Sequence, residues 1–497
     1  MNSKLALAAA VAGAALMGAS TAPKMDADTA AWWATTAQLS NDSMEGRDTG
    51  SPAYLRAAKL VAAKFQAAGL KPAGEGGSWF QNVPMQEIRV TGARVTAGTR
   101  PLVFLHDLTI SPNSATPARV DAPLAYGGYC GAGSLGDVRG KVVICHGTHR
   151  AGLPSGADRE AAVRAAGAVG MLTIADPGFT VEPPRWPFAY ARTVTLATDR
   201  AKPDPFLRMT LNAASLGKLL AGARRNASAL VAAGSAGRPL PSFAIPGRFR
   251  AQFTLKQREI SSANVLAYMP GSDPGLADQV IVLSAHLDGY GYGEPVNGDR
   301  LYNGALDDAA YVALLAQLAD RRHGHGFRRT ILFAAFTGEE KGLLGSNYFV
   351  AHPTVPLRDV AAMINLDQLR PLFPLNILTM LAVNETSLGA TARQVAAPMG
   401  IRIQSDPEPE RGLLQRADHW PFLQAGVPAT GFIFGYAPGT DAERRYRLWY
   451  RTRYHHPADD VTQPMDFAAA AKFNAFFYNL VGAVADADRR PTMLGRP

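Results

Sequence analysis

Apolar and polar positions alternate along the second half of the chain in a pattern that predicts a parallel β-sheet. Residues 280–285 are Val-Ile-Val-Leu-Ser-Ala, a run of apolar and β-branched side chains typical of a strand buried on both faces. The same criteria predict strands over 330–336, 363–366 and 429–434, and helices between or after them over 308–322, 391–399 and 467–484. This alternation predicts an α/β fold with a mostly parallel central sheet flanked by helices.

The first half of the chain follows other patterns. Residues 26–39 and 52–68 have apolar side chains at helical spacing. Apolar and polar residues alternate in segments between residues 80 and 104, which predicts strands there. Beyond Pro112 the predicted strands are short, and the glycine-rich stretch 234–239 predicts a linker. The change of pattern indicates a separate middle block.

Length and charge narrow the function classes. A chain of 497 residues is long enough for two or three domains. The net charge is +9, but Lys and Arg are scattered, with brief doublets at Arg321-Arg322 and Arg444-Arg445. Scattered charges are typical of solvated faces, so we predict no nucleic-acid partner.

The N-terminus has the parts of a secretory signal peptide. Lys4 supplies a positive charge, residues 5–17 are uncharged and apolar, and Gly18-Ala19-Ser20 offers small residues for cleavage. The apolar part is too short to span a bilayer comfortably, and no cysteine follows it to carry a lipid. We therefore expect residues 1–20 to be a signal peptide, and the mature protein to be periplasmic or secreted without a stable membrane anchor.

The chain has two cysteines, Cys130 and Cys145. In an oxidising compartment a pair this close can form a disulfide. Closing such a loop contributes about 3 kcal/mol to stability in the chain-entropy account. Two separate buried thiols are the alternative interpretation.

Acids and histidines follow the predicted strands, or precede the predicted helices, of the second half. They are His286, Asp307, Glu339, Glu340, Asp367 and His455. Each has an ordinary explanation when taken singly, since acids at helix starts often act as caps and histidines often lie in satisfied core positions. The C-terminal ends of parallel strands meet at one crevice, so a set of such residues predicts a shared site.

Six motifs carry a resemblance to a known family. In chain order they are SAHLDGYG, NGALDDAAYVALLAQLA, FTGEEKGLLGS, INLDQ, ADHWPF and YHHPADD. Together they resemble the M28 family of zinc aminopeptidases, over roughly residues 40–110 and 245–485. The resemblance implies a metal centre with two ions.

The resemblance also assigns the metal ligands. It implies that His286 and Asp367 hold one metal, that Glu340 and His455 hold the other, and that Asp307 bridges them. Two imidazoles and three carboxylates suit two Zn²⁺, although Mn²⁺ or Co²⁺ also bind such sets. A bridging carboxylate moderates the repulsion between two cations, which lower the pKa of a shared water and so supply a bridging hydroxide as nucleophile.

Two further residues complete the implied catalytic set. Glu339, adjacent to the ligand Glu340, is the expected general base, which takes the proton of the water and passes it to the departing amine. Asp288, two residues after His286, is expected to accept the imidazole N–H and so fix its tautomer.

The sequence departs from the family pattern at two positions. The last motif usually has His-Thr-Pro, whereas this chain has His455-His456-Pro457. The preceding Tyr454 favours His455 as the ligand, with His456 as the alternative. The family often has Asp-Asn at the bridging position, where this chain has Asp307-Asp308, and often has a cis peptide after the bridging acid.

The middle block resembles the protease-associated domain. The resemblance rests on the phrases DVRGKVVICHG and AAVRAAGAVGMLTIADPG. We therefore predict a signal peptide at 1–20, a peptidase domain formed by 26–112 and 239–485, and an inserted protease-associated domain at 113–238. No chemistry is assigned to the inserted block.

These expectations combine into one functional hypothesis, an exported di-zinc aminopeptidase acting on peptides. Three alternatives stay open. A carboxypeptidase on the same scaffold would need a cationic pocket, for which Arg411, Arg416 and Arg447 are candidates. A glutaminyl-cyclase-like enzyme would hold one zinc, and a receptor-like binding protein would have lost the activity.

Overall fold

The computed structural model describes residues 25–199 and 203–495. The predicted signal peptide at 1–20 lies outside the described residues. The α-helices of the described part are α1 Ala27–Ser40, α2 Pro52–Ala67, α3 Gly156–Ala165, α4 Leu216–Leu219, α5 Ala227–Ser235, α6 Ala310–Arg322, α7 Leu344–Ala351, α8 Leu388–Ala396, α9 His419–Gln424, α10 Asp441–Thr452 and α11 Phe467–Ala485.

The strands of the described part are β1 Lys71–Pro72, β2 Phe80–Ala97, β3 Arg100–Leu102, β4 Leu108–Ile110, β5 Arg119–Tyr126, β6 Val142–Gly147, β7 Gly170–Ala175, β8 Arg192–Leu196, β9 Leu207–Asn212, β10 Phe243–Met269, β11 Val280–His286, β12 Gly291–Val296, β13 Asp299–Tyr302, β14 Thr330–Phe336, β15 Val360–Asn365, β16 Ile377–Met380, β17 Arg402–Gln404, β18 Ala429–Thr430 and β19 Phe432–Gly435.

One large sheet runs through the molecule in the order β18-β15-β11-β14-β10-β5-β6-β7-β9-β4. Strands β18, β15, β11 and β14 are parallel to their neighbours, as are β5, β6, β7 and β9. Helices cover the sheet, which gives the mixed α/β architecture that the strand and helix alternation predicts.

Strand β10 joins the two parallel halves. Its C-terminal part pairs antiparallel with β14, its N-terminal part pairs antiparallel with β5, and its middle part pairs antiparallel with almost the whole of β2. The β2–β10 register shifts between Thr254 and Leu255, which bends the ribbon where one half gives way to the other. We call residues 92–254 the inserted lobe, and residues 25–91 with 255–495 the large lobe.

Each lobe has its own hydrophobic core. Alternate residues of β11 point to opposite faces of the sheet, so Ile281 and Leu283 pack with α1, α2 and α6, while Val280 and Val282 pack with Phe349. The core of the inserted lobe includes residues from Val95 to Phe253, so residues on both sides of the predicted 113–238 block pack within it. Cys130 and Cys145 form a disulfide in the inserted lobe.

Several predicted elements have different ends in the structure. The helix predicted over 308–322 begins regularly only at Ala310, because residues 305–309 form a π-helical turn with non-helical backbone at Asp307 and Asp308. The strand predicted over 429–434 is interrupted at Gly431, where β18 pairs with β15 and β19 pairs with β16 instead. The helix predicted over 391–399 begins earlier, at Leu388.

Candidate metal centre

Three adjacent parallel strands bring predicted site residues to one edge of the sheet. His286 is the last residue of β11, which lies between β14 and β15. Glu339 and Glu340 form a 3₁₀ turn shortly after β14, and Asp367 follows β15 by two residues. Because the three strands are parallel, their C-terminal ends coincide, and these side chains meet there.

The other two predicted ligands reach this edge from loops. Asp307 lies in the π-helical turn before α6, and His455 lies in the turn after α10. His455 has a left-handed backbone with φ of 54°, which aims its ring at the cluster. Nε2 of His455 lies 3.3 Å from Glu340 Oε2 and 3.4 Å from Asp307 Oδ2.

The carboxylate of Asp307 lies between the two imidazoles. Its Oδ1 is 3.3 Å from Nε2 of His286, and its Oδ2 is 3.4 Å from Nε2 of His455. His286 Nε2 and Asp307 Oδ2 are both buried and have no hydrogen-bond partner among the described residues. Buried polar atoms normally have hydrogen-bond partners. Imidazole nitrogens and carboxylate oxygens that lack such partners and lie close together are typical of a metal site.

The donor atoms form three overlapping groups among the described residues. In each group the atoms lie within 4.8 Å of one another, and the groups are His286 with Asp307 and Asp367, Asp307 with Glu340 and His455, and His286 with Glu339 and Glu340. Imidazole nitrogen and carboxylate oxygen together suit zinc. The first two groups match the two ligand sets expected from the motifs, and His456 belongs to none of the three.

The cluster carries excess negative charge. Burial and neighbouring carboxylates raise the pKa of Glu339 well above its usual range and that of Glu340 to about 8. Burial also raises the pKa of Asp367. Although burial disfavours its charged form, the surrounding acids raise the pKa of His286. Such mutual perturbation marks a site that divalent cations would neutralise.

Each histidine has a hydrogen-bond partner on its outer ring nitrogen. In the tautomers that leave Nε2 free, Nδ1 of His286 donates to the backbone carbonyl of Asp288 at 3.0 Å, and Nδ1 of His455 donates to the hydroxyl of Tyr290 at 2.9 Å. These partners direct both Nε2 atoms into the cluster.

The carboxylate of Asp288 has a different contact from the one expected. It lies 3.8 Å from Nδ1 of His286, whose partner is the backbone carbonyl instead. Its Oδ1 accepts a hydrogen bond from the Glu339 backbone N–H at 3.0 Å, and its Oδ2 accepts one from the Thr49 hydroxyl at 2.8 Å. Asp288 therefore positions the turn that carries Glu339.

Sequence reasoning missed two buried arginines that organise the site. Arg47 donates to the carbonyls of Leu287, Asn303 and Gly304, and so ties the His286 loop to the loop before Asp307. Arg370 lies 3.4 Å from Asp307 Oδ1. Both arginines follow apparent loop or strand-end positions, where a charged residue is usually solvated, so the sequence alone carries little signal for them.

Two other acids near the site are also buried. Asp459 accepts hydrogen bonds from the backbone N–H groups of Leu306 and Asp307, which fixes the turn before α6. Asp418, from the ADHWPF motif, accepts a hydrogen bond from Ser346, and burial raises its pKa to about 7.

A cavity of about 380 Å³ opens beside His455 and Tyr290, between the two lobes. The inserted lobe contributes Glu182 and Arg185 to its wall, and the large lobe contributes Arg411 and Arg416. Glu182 receives two hydrogen bonds from Arg416 and lies 3.6 Å from Arg411. This cavity is the space through which a small ligand would reach the metal centre.

Comparison with known proteins points to a peptidase family. Residues 264–481 match peptidase family M28. Leupeptin-inactivating enzyme 1 of Streptomyces exfoliatus is 25% identical over 223 residues, covering 43% of this chain and 47% of that protein. A probable leucine aminopeptidase 2 of Aspergillus oryzae is 26% identical over 219 residues, covering 42% of each. The chain thus spans about half the length of the curated relatives it matches.

A solved structure extends the likeness to the whole fold. A zinc aminopeptidase from Bacillus subtilis superposes with a TM-score of 0.62 at 17% identity, covering 95% of this chain and all of that one. At this identity the likeness concerns the fold, which includes both lobes. The matched residues contain His286, Asp307, Glu340, Asp367 and His455, and this part of the chain, residues 264–481, is therefore similar to the metallopeptidases of peptidase family M28.

Proposed function

We propose that this protein is an exported aminopeptidase that holds two zinc ions and removes N-terminal residues from peptides. The observation that carries the proposal is the carboxylate of Asp307, each oxygen of which faces the free Nε2 of a different histidine. A carboxylate placed between two separate donor groups is what a pair of adjacent cations requires.

The side chains divide into two metal positions. We call the first the His286–Asp367 position and the second the Glu340–His455 position, with Asp307 shared. When bound, zinc would polarise the scissile carbonyl and lower the pKa of the attacking water. Glu339, whose Oε2 lies 3.9 Å from Nε2 of His286, is placed to accept the proton of that water and return it to the leaving amine.

The surroundings suit a short peptide with a free amino group. Acids outnumber cations around the ligands, which favours a positively charged α-amine there. The cavity of about 380 Å³ is enclosed by both lobes, so it accommodates a chain end rather than a folded surface. The leucine aminopeptidase of A. oryzae supports the same reaction type.

A carboxypeptidase is the second candidate, because Arg411 and Arg416 line the same cavity. Both arginines contact Glu182, and Arg411 also lies 3.6 Å from Glu408, so neither arginine is without an acidic partner. Arg447 pairs with Glu408 and Glu443 instead, so its charge is already taken up by two acids. The offset charge makes this pocket less suited to a terminal carboxylate than an unpaired arginine would be.

Peptides blocked at one end test the proposal. The mature protein is expected to hydrolyse a C-terminally amidated peptide and to leave an N-acetylated peptide intact. The opposite preference would favour the carboxypeptidase, and zero hydrolysis with metals loaded would favour a receptor-like binding protein.

Metal content and export need separate measurements. Elemental analysis is expected to give two zinc ions per chain, whereas one would favour the glutaminyl-cyclase-like alternative. N-terminal sequencing of the mature protein is expected to show a start near residue 21, and a mature chain that retains Met1 would contradict export by a cleaved signal. The resemblance of the middle block to the protease-associated domain stays a prediction.

A further inference from the structure

A short segment of the inserted lobe reaches the metal centre. Residues 189–192 lead into β8 and are held on both sides by the large lobe. The carbonyl of Ala189 accepts a hydrogen bond from the N–H of Glu294, at 2.7 Å. Arg192, whose side chain is fully buried, forms ion pairs with Asp48 and Glu87. Tyr190, which lies between these anchors, therefore has a fixed position.

Tyr190 contacts two side chains of the large lobe. Its hydroxyl accepts a hydrogen bond of 2.7 Å from Nζ of Lys341. Its ring stacks on the ring of Tyr290, with centroids 5.7 Å apart and planes at 28°. Nζ of Lys341 lies 4.7 Å from the Tyr290 ring centroid, so the three side chains form one packed group.

Both partners of Tyr190 adjoin ligands of the same metal position. Lys341 follows Glu340 directly in the 3₁₀ turn Glu339–Lys341. Tyr290 is the hydrogen-bond partner of Nδ1 of His455. Glu340 and His455 are the two ligands that the Glu340–His455 position does not share with the other. No comparable contact from residues 189–192 to Asp367 is found in the described part of the chain.

We propose that Tyr190 is a positioning residue of the inserted lobe that sets the affinity of the Glu340–His455 position for its metal. The inference rests on the proposed function, in which that position holds zinc. Tyr190 fixes the Lys341 ammonium and the Tyr290 ring, and through them the carboxylate of Glu340 and the imidazole of His455. The His286–Asp367 position is independent of it.

The Lys341 ammonium depends on the Tyr190 hydroxyl, because its other acceptors are more distant. Its side chain is 4% exposed, and its other oxygen contacts are longer, at 3.4 Å to the Gly289 carbonyl and 3.6 Å to Asp48. Loss of the Tyr190 hydroxyl leaves a buried cation short of an acceptor, so the side chain must move. Because Lys341 is next to Glu340, that movement is transmitted to the ligand.

Two substitutions separate the hydroxyl from the ring. Tyr190→Phe removes the acceptor for Lys341 and keeps the stacking on Tyr290, whereas Tyr190→Ala removes both. Tyr292→Ala is the matched control, since Tyr292 lies two residues from Tyr290 but is 50% exposed. Zinc is titrated into the metal-free full-length mature proteins in competition with a chromophoric chelator, and anomalous scattering locates the bound ions.

The wild type and Tyr292→Ala are expected to bind two zinc ions with the same two affinities. In Tyr190→Ala one affinity is expected to fall by about 10–100-fold, the usual effect of removing an outer partner of a ligand. The anomalous peak beside His455 should weaken while the peak beside Asp367 persists. The corresponding zinc affinity of Tyr190→Phe should lie between those of the wild type and Tyr190→Ala. Tyr190→Phe is the test variant if Tyr190→Ala does not fold.

Distinct results would overturn the inference and the proposed function. Unchanged affinities in folded Tyr190 variants would refute the role of Tyr190 and leave the proposed function intact. Equal weakening of both positions would also refute it, since that indicates a general loss of structure. A wild type that binds no zinc would refute the proposed function itself.

Discussion

At the scale of single residues, two adjacent side chains of this protein face different histidines. Glu339 and Glu340 are neighbours in one 3₁₀ turn, yet Oε2 of Glu340 faces His455 while Oε2 of Glu339 faces His286. The Glu339 backbone N–H donates a hydrogen bond to the carboxylate of Asp288. This contact orients the turn without any contribution from a bound metal or substrate. One turn therefore carries the proposed metal ligand and the proposed proton acceptor side by side.

Replacing Glu339 by Gln removes the proton acceptor and keeps the shape of the side chain. Turnover is expected to fall by about 10²–10⁴-fold, the usual contribution of a general base. Zinc content should stay at the wild-type value, because the proposed ligands are untouched. Steady-state kinetics and elemental analysis check both outcomes.

Glu259→Gln is the matched control, since Glu259 is exposed on β10. It should keep wild-type turnover. Near-normal turnover of Glu339→Gln would show that another group accepts the proton.

At the scale of elements, helix α7 packs very closely on the turn after β14. A Cβ placed on Gly345 would lie 2.4 Å from the carbonyl oxygen of Thr337 and 2.3 Å from Oδ1 of Asn264. That side-chain oxygen accepts a hydrogen bond from the N–H of Thr337. Glycine at this position lets α7 close against the strand end that leads into Glu339.

Gly345→Ala is therefore expected to destabilise the protein by about 1–3 kcal/mol, the usual cost of overpacking. Activity should also fall, because the displaced strand end carries Glu339 and Glu340. Thermal unfolding and steady-state kinetics measure the two effects. Gly275→Ala should change neither, since Gly275 is exposed and an added Cβ would make only an ordinary van der Waals contact, 3.4 Å from Asp273 Oδ1. Equal stabilities of the two variants would contradict the close packing of α7.

At the scale of the whole molecule, paired charges join the two lobes across the cavity. Glu182 of the inserted lobe is buried against Arg416 and Arg411 of the large lobe. Although burial raises it, the hydrogen bonds and charge of Arg416, together with Arg185 and Arg411, lower the pKa of Glu182 to about 2. The carboxylate therefore stabilises the contact between the lobes while it is ionised.

The sign of the pH dependence follows from that lowered pKa. The contribution of Glu182 is fully present above its ordinary pKa of 4.5 and is lost as the pH falls towards about 2. Glu182→Gln should therefore be less stable than the wild type at pH 7, by up to about 3 kcal/mol at 1.36 kcal/mol per pKa unit. The difference should shrink below pH 4.5.

Chemical unfolding at several pH values measures this difference. Glu259→Gln should match the wild type throughout, since its carboxylate is exposed. A difference between Glu182→Gln and the wild type that stays constant from pH 7 to pH 3 would show that the charge of Glu182 does not stabilise the contact between the lobes.

Local elements and candidate site residues could be predicted from the amino-acid sequence. The strand at β11 and the positions of His286, Asp307, Glu340, Asp367 and His455 follow from short-range patterns and motifs, because burial on both faces and helical spacing are written in consecutive residues. The parallel strands then place His286, Glu340 and Asp367 in one crevice, which Asp307 and His455 enter from loops.

The segments that contact these residues from a distance could be identified only in the folded protein. The pairing of β10 with both halves of the sheet, the carbonyls held by Arg47, and the contact of Tyr190 with Lys341 each join residues far apart in the chain. Hydrophobic periodicity records only whether a side chain is buried, and not which distant group it meets. Those contacts form only when distant segments of the chain are folded against each other.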